Sequence, residues 1–507
     1  LTNGIRGYTF VRNMKSRIIV DRNQFIAETD DRLFSSFIEH LGRAVYGGIY
    51  EPDHPEADDQ GFRKDVISLV KELGVDLVRY PGGNFVSGYN WKDGIGPRSS
   101  RPVRLDLAWH SIESNQIGID EFYDWSVKSG TKILAAVNMG TGLPREAGEL
   151  VEYCNFPGGT YWSDLRKKNG HEQPYGIKTW CVGNEMDGKW QTGHLEAADY
   201  GKKARETAKI MKWIDPSIEL VVCGSASSDM PTFPEWDRTV LEYAYDSVDY
   251  LSLHRYYENF NNDTDFLASW ANMDHFIKTV TAAVDYVKTL KRSERTVNLS
   301  FDEWNVWYQQ NQKEHDWMSA PPILEDHYSM LDALVVAGLG LTLVNNADRV
   351  KIACLAQLVN VIAPIFTEKG GRAVRQTIFY PFKDISLYAR GTVLRTCVQS
   401  STAETKYGSV PVMCSAAVVS RDGQFVTVFC LNTDKKDVHE TQIDLSSFGK
   451  AQMISWQELS NHDMNAKNTC DAPDTVVPSV KECTGGKNGV FEVYVQPLSW
   501  NVLRFSI

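Results

Sequence analysis

Two glutamates sit where a carboxylate can do chemistry. Glu185 closes the run Ile177-Lys-Thr-Trp-Cys-Val-Gly-Asn184-Glu185, and Glu303 lies in Val297-Asn-Leu-Ser-Phe-Asp-Glu303-Trp-Asn305. Both runs read as buried strands that deliver a carboxylate to the rim of an aromatic-rich pocket. Two carboxylates facing each other across a sugar can break a glycosidic bond. One protonates the leaving oxygen, and the other attacks carbon or activates water. Carboxylates are common, so the weight falls on the elements that must position them.

From about residue 31 to 384 short apolar runs alternate with helical stretches. The runs are Leu33–Ile38, Leu77–Tyr80, Ile133–Val137, Ile177–Val182, Leu220–Cys223, Tyr250–Leu253, Val297–Phe301 and Val350–Leu355. Between them, Phe62–Leu73, Ile119–Ser129, Ala197–Ile214, Met273–Leu290 and Leu324–Asn345 carry apolar residues at three- and four-residue spacing. Eight such units predict an α/β fold of the (β/α)8 TIM-barrel type. No GxGxxG follows the first run, which weakens a dinucleotide-binding sheet. Pro81-Gly-Gly83 lacks the Lys-Ser/Thr of a phosphate loop and reads as a tight turn carrying Asn84 to the rim. Polar residues recur where the runs end: Glu39 and His40, Asn84, Asn138, Asn184 and Glu185, His254 and Tyr256, Glu303, and Gln357. In a barrel these ends converge on the face where active sites lie.

After about residue 385 the period changes to two, as in Ala416–Cys430 and Val490–Gln496. Asp422-Gly423 between two such runs is a hairpin signal. This predicts a C-terminal antiparallel β-sandwich over 385–507, behind a catalytic barrel over 31–384. Residues 14–30 supply an N-terminal strand to the sandwich. The chain begins Leu1-Thr2, and Met14 precedes a β-prone run, so residues 1–13 read as an extension.

The 507 residues carry 65 acidic and 53 basic side chains, a formal charge of −12. That opposes nucleic-acid binding, which needs a basic face. No apolar run has transmembrane length, and no secretory signal is evident. The nine cysteines form no CxxC pair, and an odd, scattered set suits a reducing cytoplasm. Eleven histidines without HxH or HExxH spacing predict no metal, and no cofactor is expected. Asn262-Asp-Thr264 and Asn298-Leu-Ser300 match a glycosylation sequon too short to weigh.

Longer blocks narrow the reading. Phe37-Ile-Glu39-His-Leu-Gly-Arg43, Arg79-Tyr-Pro-Gly-Gly-Asn84-Phe85, Trp180-Cys-Val-Gly-Asn-Glu185-Met-Asp-Gly188, Leu253-His-Arg-Tyr-Tyr257, Phe301-Asp-Glu303-Trp-Asn-Val-Trp307 and Ala356-Gln-Leu-Val-Asn-Val-Ile362 resemble the blocks of glycoside hydrolase family 51 α-L-arabinofuranosidases. The resemblance covers residues 15–385 strongly and the C-terminal part more loosely. It implies a retaining exo-α-L-arabinofuranosidase acting on terminal units of arabinoxylan or arabinan oligosaccharides. It implies Glu303 as nucleophile and Glu185 as acid/base. It also implies Asn184 at the sugar 2-hydroxyl, Glu39, Asn84 and Gln357 at the other hydroxyls, and a homo-oligomer, a hexamer in that family.

Physical chemistry fits such a division. Glu303 must stay ionised and needs a donor, for which Tyr256 is placed; Glu185 must be protonated, helped by an apolar wall from Trp180 or by the charge of Glu303. Trp109 and Trp307 would wall the pocket, because aromatic faces pack on sugar C–H groups. Bland readings compete. Glu39 could pair with Arg43 four residues on, Asn84 could cap a turn, either tryptophan could be core, and His254 reads as scaffold. Three other functions compete too. A β-xylosidase or endoglucanase would use the same glutamates on a pyranose. A carbohydrate-binding protein would have lost catalysis, and a nicotinamide-dependent barrel reductase would need a phosphate site.

Overall fold

The computed structural model describes residues 14–311, 315 and 317–507. The expected extension over 1–13 lies outside them. Eight parallel strands close into a barrel: β1 (Ser35–Phe37), β2 (Leu77–Tyr80), β3 (Lys132–Ala136), β4 (Thr179–Val182), β5 (Glu219–Val222), β6 (Tyr250–Tyr257), β7 (Asn298–Val306) and β8 (Val350–Ala356). The ring closes where β8 pairs with β1. The strands are short and buried on both faces, as parallel strands covered by helices must be. That is why they read as apolar runs rather than as alternating ones.

Strands β6 and β7 outrun the apolar stretches that announce them, reaching Tyr257 and Val306. Tyr256 and Glu303 therefore lie inside strands rather than beyond their ends. Helices cover Ile119–Ser129 and Ala197–Ile214 as the spacing predicts. The helix expected from Leu324 starts at Met330, because the Ser329 side chain accepts from Asp332 N while the Asp332 carboxylate accepts from Ser329 N. Helices Pro144–Asn155, Tyr161–Lys168, Glu235–Ala244 and Phe379–Tyr388 escaped the periodicity reading.

Nine strands form the second unit. Their order is Ser479–Val480, Gln452–Leu459, Ser499–Ser506, Phe425–Asn432, Met413–Ser420, Gly391–Gln399, Met14–Glu28, His439–Asp444 and Val490–Val495. All pairs are antiparallel except Met14–Glu28 with His439–Asp444. The sheet is continuous and curls over, so that Phe491 near one end packs on Phe505 near the other at a ring separation of 4.8 Å. Helix Met330–Asn345 is buried almost all round and lies between barrel helices and this sheet. Trp500 Nε1 of the sheet donates to Asp384 Oδ2 of a barrel helix at 2.9 Å. One apolar core therefore runs from the barrel into the sheet.

Candidate active site

The floor of the barrel mouth is built on Arg79, the one charged residue of β2. Its Nη1 donates to Glu303 Oε1 at 2.6 Å and its Nη2 to Asn184 Oδ1 at 2.7 Å. Its Nε lies 3.3 Å from Asp302 Oδ2. Consecutive strand residues normally face opposite ways. Asp302 and Glu303 nevertheless both reach Arg79, because the register slips between Ser300 and Glu303 against β6. Three residues of β7 span two of β6, and such a bulge turns a side chain inward. Burial opposes the Asp302 charge, but Arg79 and His254 prevail and hold its carboxyl below the usual range.

Glu185 follows β4 after Gly183 and Asn184, with its backbone in the left-handed region at φ 41°. A non-glycine residue there stores strain of about 1–3 kcal/mol. His254 Nδ1 lies 2.8 Å from Glu185 Oε1 and 3.6 Å from Glu303 Oε2, and its Nε2 lies 3.5 Å from Asp302 Oδ1. Burial alone would lower the imidazole pKa; Glu303, Asp302 and Glu185 raise it to about 10. Tyr256 donates its hydroxyl to Glu303 Oε2 at 2.7 Å. Burial and the charge of Glu185 push the Glu303 carboxyl up, while His254, Arg79 and Tyr256 pull it back. One atom from each of Glu185, His254 and Glu303 lies within 4.8 Å of the others. This trio could hold a divalent ion, and an ion there would stand between the two carboxylates.

Glu39 is fully enclosed. Its Oε1 accepts from Phe85 N at 2.8 Å and from Trp109 Nε1 at 2.9 Å. Its backbone N–H donates to Gln357 Oε1 at 3.0 Å. Gly82 and Gly83 let the chain pass this carboxylate closely: a Cβ on Gly83 would meet Glu39 Oε2 at 2.5 Å. Arg43 pairs with Glu325 instead. Burial, with Glu303 nearby, lifts the Glu39 pKa from 4.5 to about 8. The folded state thus keeps a proton that the unfolded chain loses above pH 4.5. The stability this adds is complete below that pH and drains away up to pH 8. The Glu39→Gln variant is expected to lose less melting temperature than wild type between pH 5 and 8. Parallel melting curves against pH would refute this.

A cavity of about 550 Å³ opens above these groups. Glu39, Asn84, Trp109, Glu185, Tyr256, Glu303, Trp307 and Gln357 all line it. Asn184 is not among the lining residues, but its Nδ2 is buried with no hydrogen-bond partner among the described residues. Asn84 Oδ1 accepts from Gln191 Nε2. Trp307 meets the Tyr256 ring edge-on at 5.0 Å. Trp180 is not the wall of Glu185. Cys181 points into the barrel, where its thiol meets Asp302, so its neighbour Trp180 points outward and bonds Ile177 O. The wall is Trp190, whose Nε1 donates to Glu185 Oε2 at 2.6 Å. The sequence reading gave no role to Arg79, Trp190 or Asp302. A lone arginine in the apolar run Leu77-Val-Arg-Tyr80 was the available signal for the first.

Two family models match, "Alpha-L-arabinofuranosidase 1 domain" over residues 69–275 and "Alpha-L-arabinofuranosidase C-terminal domain" over 302–499. The intracellular exo-α-(1→5)-L-arabinofuranosidase 1 of Bacillus subtilis is 54% identical over 97% of this chain and 99% of its own. An exo-α-(1→6)-L-arabinofuranosidase of Bifidobacterium longum is 50% identical over 97% of each. A solved family 51 α-L-arabinofuranosidase from Bifidobacterium longum superposes with a TM-score of 0.94 at 44% identity, covering 97% of this chain and all of that one. With identity this high over nearly the whole length, on a barrel whose mouth holds paired glutamates, the chain belongs to the glycoside hydrolase family 51 α-L-arabinofuranosidases.

Proposed function

We propose that this enzyme removes terminal α-L-arabinofuranosyl units from arabinan or arabinoxylan oligosaccharides with retention, Glu303 acting as nucleophile and Glu185 as acid/base. The spacing of the pair carries the reading. Oxygens of the two glutamates lie within 4.8 Å. Retaining pairs stand about 5–5.5 Å apart, and inverting pairs about 6.5–9.5 Å.

Charge balance supports the roles. Two buried cations, Arg79 and His254, face two anions, Asp302 and Glu303. Glu185 shares His254 with them, 2.8 Å from its Nδ1, so two cations face three carboxylates, and the acid/base role gives Glu185 the proton that balances the cluster. Glu303 attacks the anomeric carbon as Glu185 gives its proton to the leaving oxygen. In the second half, water gives a proton to Glu185, its oxygen attacks the same carbon, and Glu303 departs. Asn184 Nδ2 donates to the 2-hydroxyl, a bond that tightens as the ring becomes oxocarbenium-like. Glu39, Asn84 and Gln357 hold the other hydroxyls, and Trp109 and Trp307 wall the ring. No metal is required.

Relatives named for (1→5) and (1→6) activity stand at similar identity, and the (1→5) name belongs to the Bacillus protein at 54%. The word "intracellular" in such names, with nine free cysteines, supports a cytoplasmic enzyme. A homo-oligomer, a hexamer by family resemblance, fits the exposed apolar edge of Val103, Leu105 and Leu107; light scattering of a monomer would remove it. The decisive experiment follows α-(1→5)-arabinotriose hydrolysis by proton NMR. The α-anomer of arabinose should form first, one unit at a time. First formation of the β-anomer would refute retention, and turnover of only aryl β-xylosides would refute the substrate.

A further inference from the structure

The cavity does not end at the glutamates. It runs outward from Glu39 and Trp109, past Glu185 and Glu303, to Phe260 and Asp265 of the barrel and to Lys406 and Tyr407 of the C-terminal sheet unit. A pentose has about ten heavy atoms. At roughly 30 Å³ per water-sized group it would fill about 300 Å³, little more than half of the cavity of about 550 Å³.

The outer wall is built, not incidental. Strands Thr402–Thr405 and Gly408–Pro411 form a hairpin with Lys406 and Tyr407 at its tip. Gly408, at φ 96°, takes the left-handed position that closes such a short loop. Lys406 N donates to Asp265 Oδ1 at 2.9 Å, which ties the tip to the barrel. Asp265 is fixed in turn by Asn262 Nδ2 at 2.7 Å. Tyr407 is half-buried against the cavity, with the Lys406 ammonium 5.0 Å from its ring centroid. Phe260 is 63% exposed, an apolar ring kept in water beside a polar cleft. Arg255, also in the lining, bonds Ser227 through Nη1 at 2.6 Å and pairs with Asp229 at 2.5 Å, and its buried Nε has no partner among the described residues. Aromatic faces beside polar groups are what a sugar ring packs against.

We propose that the Thr402–Pro411 hairpin completes an aglycone subsite, in which Tyr407 and Phe260 pack on the second sugar of an oligosaccharide and Arg255 bonds its hydroxyls. This rests on the reading that the first sugar is a furanoside held at Glu185 and Glu303. The sheet unit then contributes directly to substrate choice.

The test compares α-(1→5)-arabinotriose with an aryl α-L-arabinofuranoside, which lacks a second sugar. For Tyr407→Ala, KM for the triose should rise about three- to tenfold with a smaller change in kcat. The triose-to-aryl ratio of kcat/KM should fall by the same factor. Tyr407→Phe, which keeps the ring, should restore the ratio, and Phe260→Ala should lower it as Tyr407→Ala does. Equal effects on both substrates, or none, in variants with wild-type melting temperatures would overturn the proposal. Wild-type enzyme inert on both furanosides would instead remove the reading beneath it.

Discussion

Replacing Glu303 by Ala is expected to lower kcat on an aryl α-L-arabinofuranoside on the order of 10⁴-fold or more, because no other group can form the glycosyl ester. The change empties the space in front of Arg79 Nη1 and the Tyr256 hydroxyl, both of which bond that carboxylate. A small anion fits this electropositive gap. Added azide should therefore restore turnover and yield the β-arabinofuranosyl azide, since a single displacement inverts the centre. Glu185→Ala should behave differently. Its loss on oligosaccharides should be about 10²–10⁴-fold, but far smaller on an aryl glycoside whose phenolate leaves without a proton. Azide should then give the α-product, by attack on an ester that Glu303 has already formed. A Glu303→Ala enzyme that stays active, or that gives α-azide, would reverse or remove these roles.

Arg79→Met is expected to destabilise the protein by about 3–5 kcal/mol in urea unfolding, because it leaves buried carboxylates without their cation. Arg79 is 1% exposed and meets Glu303, Asp302 and Asn184 at once. Methionine matches its bulk but supplies neither charge nor fork. The rate should report the same loss. Arg79 is among the groups that pull the Glu303 carboxyl down against burial. Without it Glu303 keeps its proton to higher pH, and the acid limb of kcat/KM should move up by about one pH unit or more. Arg79→Lys retains the charge but cannot bond Glu303 and Asn184 together, so it should recover part of the stability and less of the rate. A Met variant with wild-type stability and an unmoved acid limb would show that Arg79 does not order this site.

The barrel was legible because its signal is local. A strand buried on both faces must be apolar along its length, so eight runs separated by helical spacing leave little else to build. Glu39, Glu185 and Gln357 stood just past such runs, and a barrel gathers those ends on one face. The turn Pro81-Gly-Gly83 was legible as a turn, but not as the gap through which the chain passes the Glu39 carboxylate.

Other features depend on partners far away in sequence. Trp180 and Trp190 are both tryptophans near Glu185, and only the orientation of β4 decides that the second is its neighbour. Asp302 and Glu303 face the same way because β7 slips against β6, and no property of either residue announces a bulge. The proton balance of the site arises where Arg79, His254, Asp302 and Glu39 converge from β2, β6, β7 and the end of β1. Tyr407 reaches the cavity mouth from a sheet whose own pattern is that of an ordinary half-buried hairpin. The sequence alone determined the barrel, the family and the pair of glutamates, since burial and block order are written along the chain. Only the tertiary structure decided which charges face that pair and which unit closes the cavity, since those contacts join residues that have no local pattern in common.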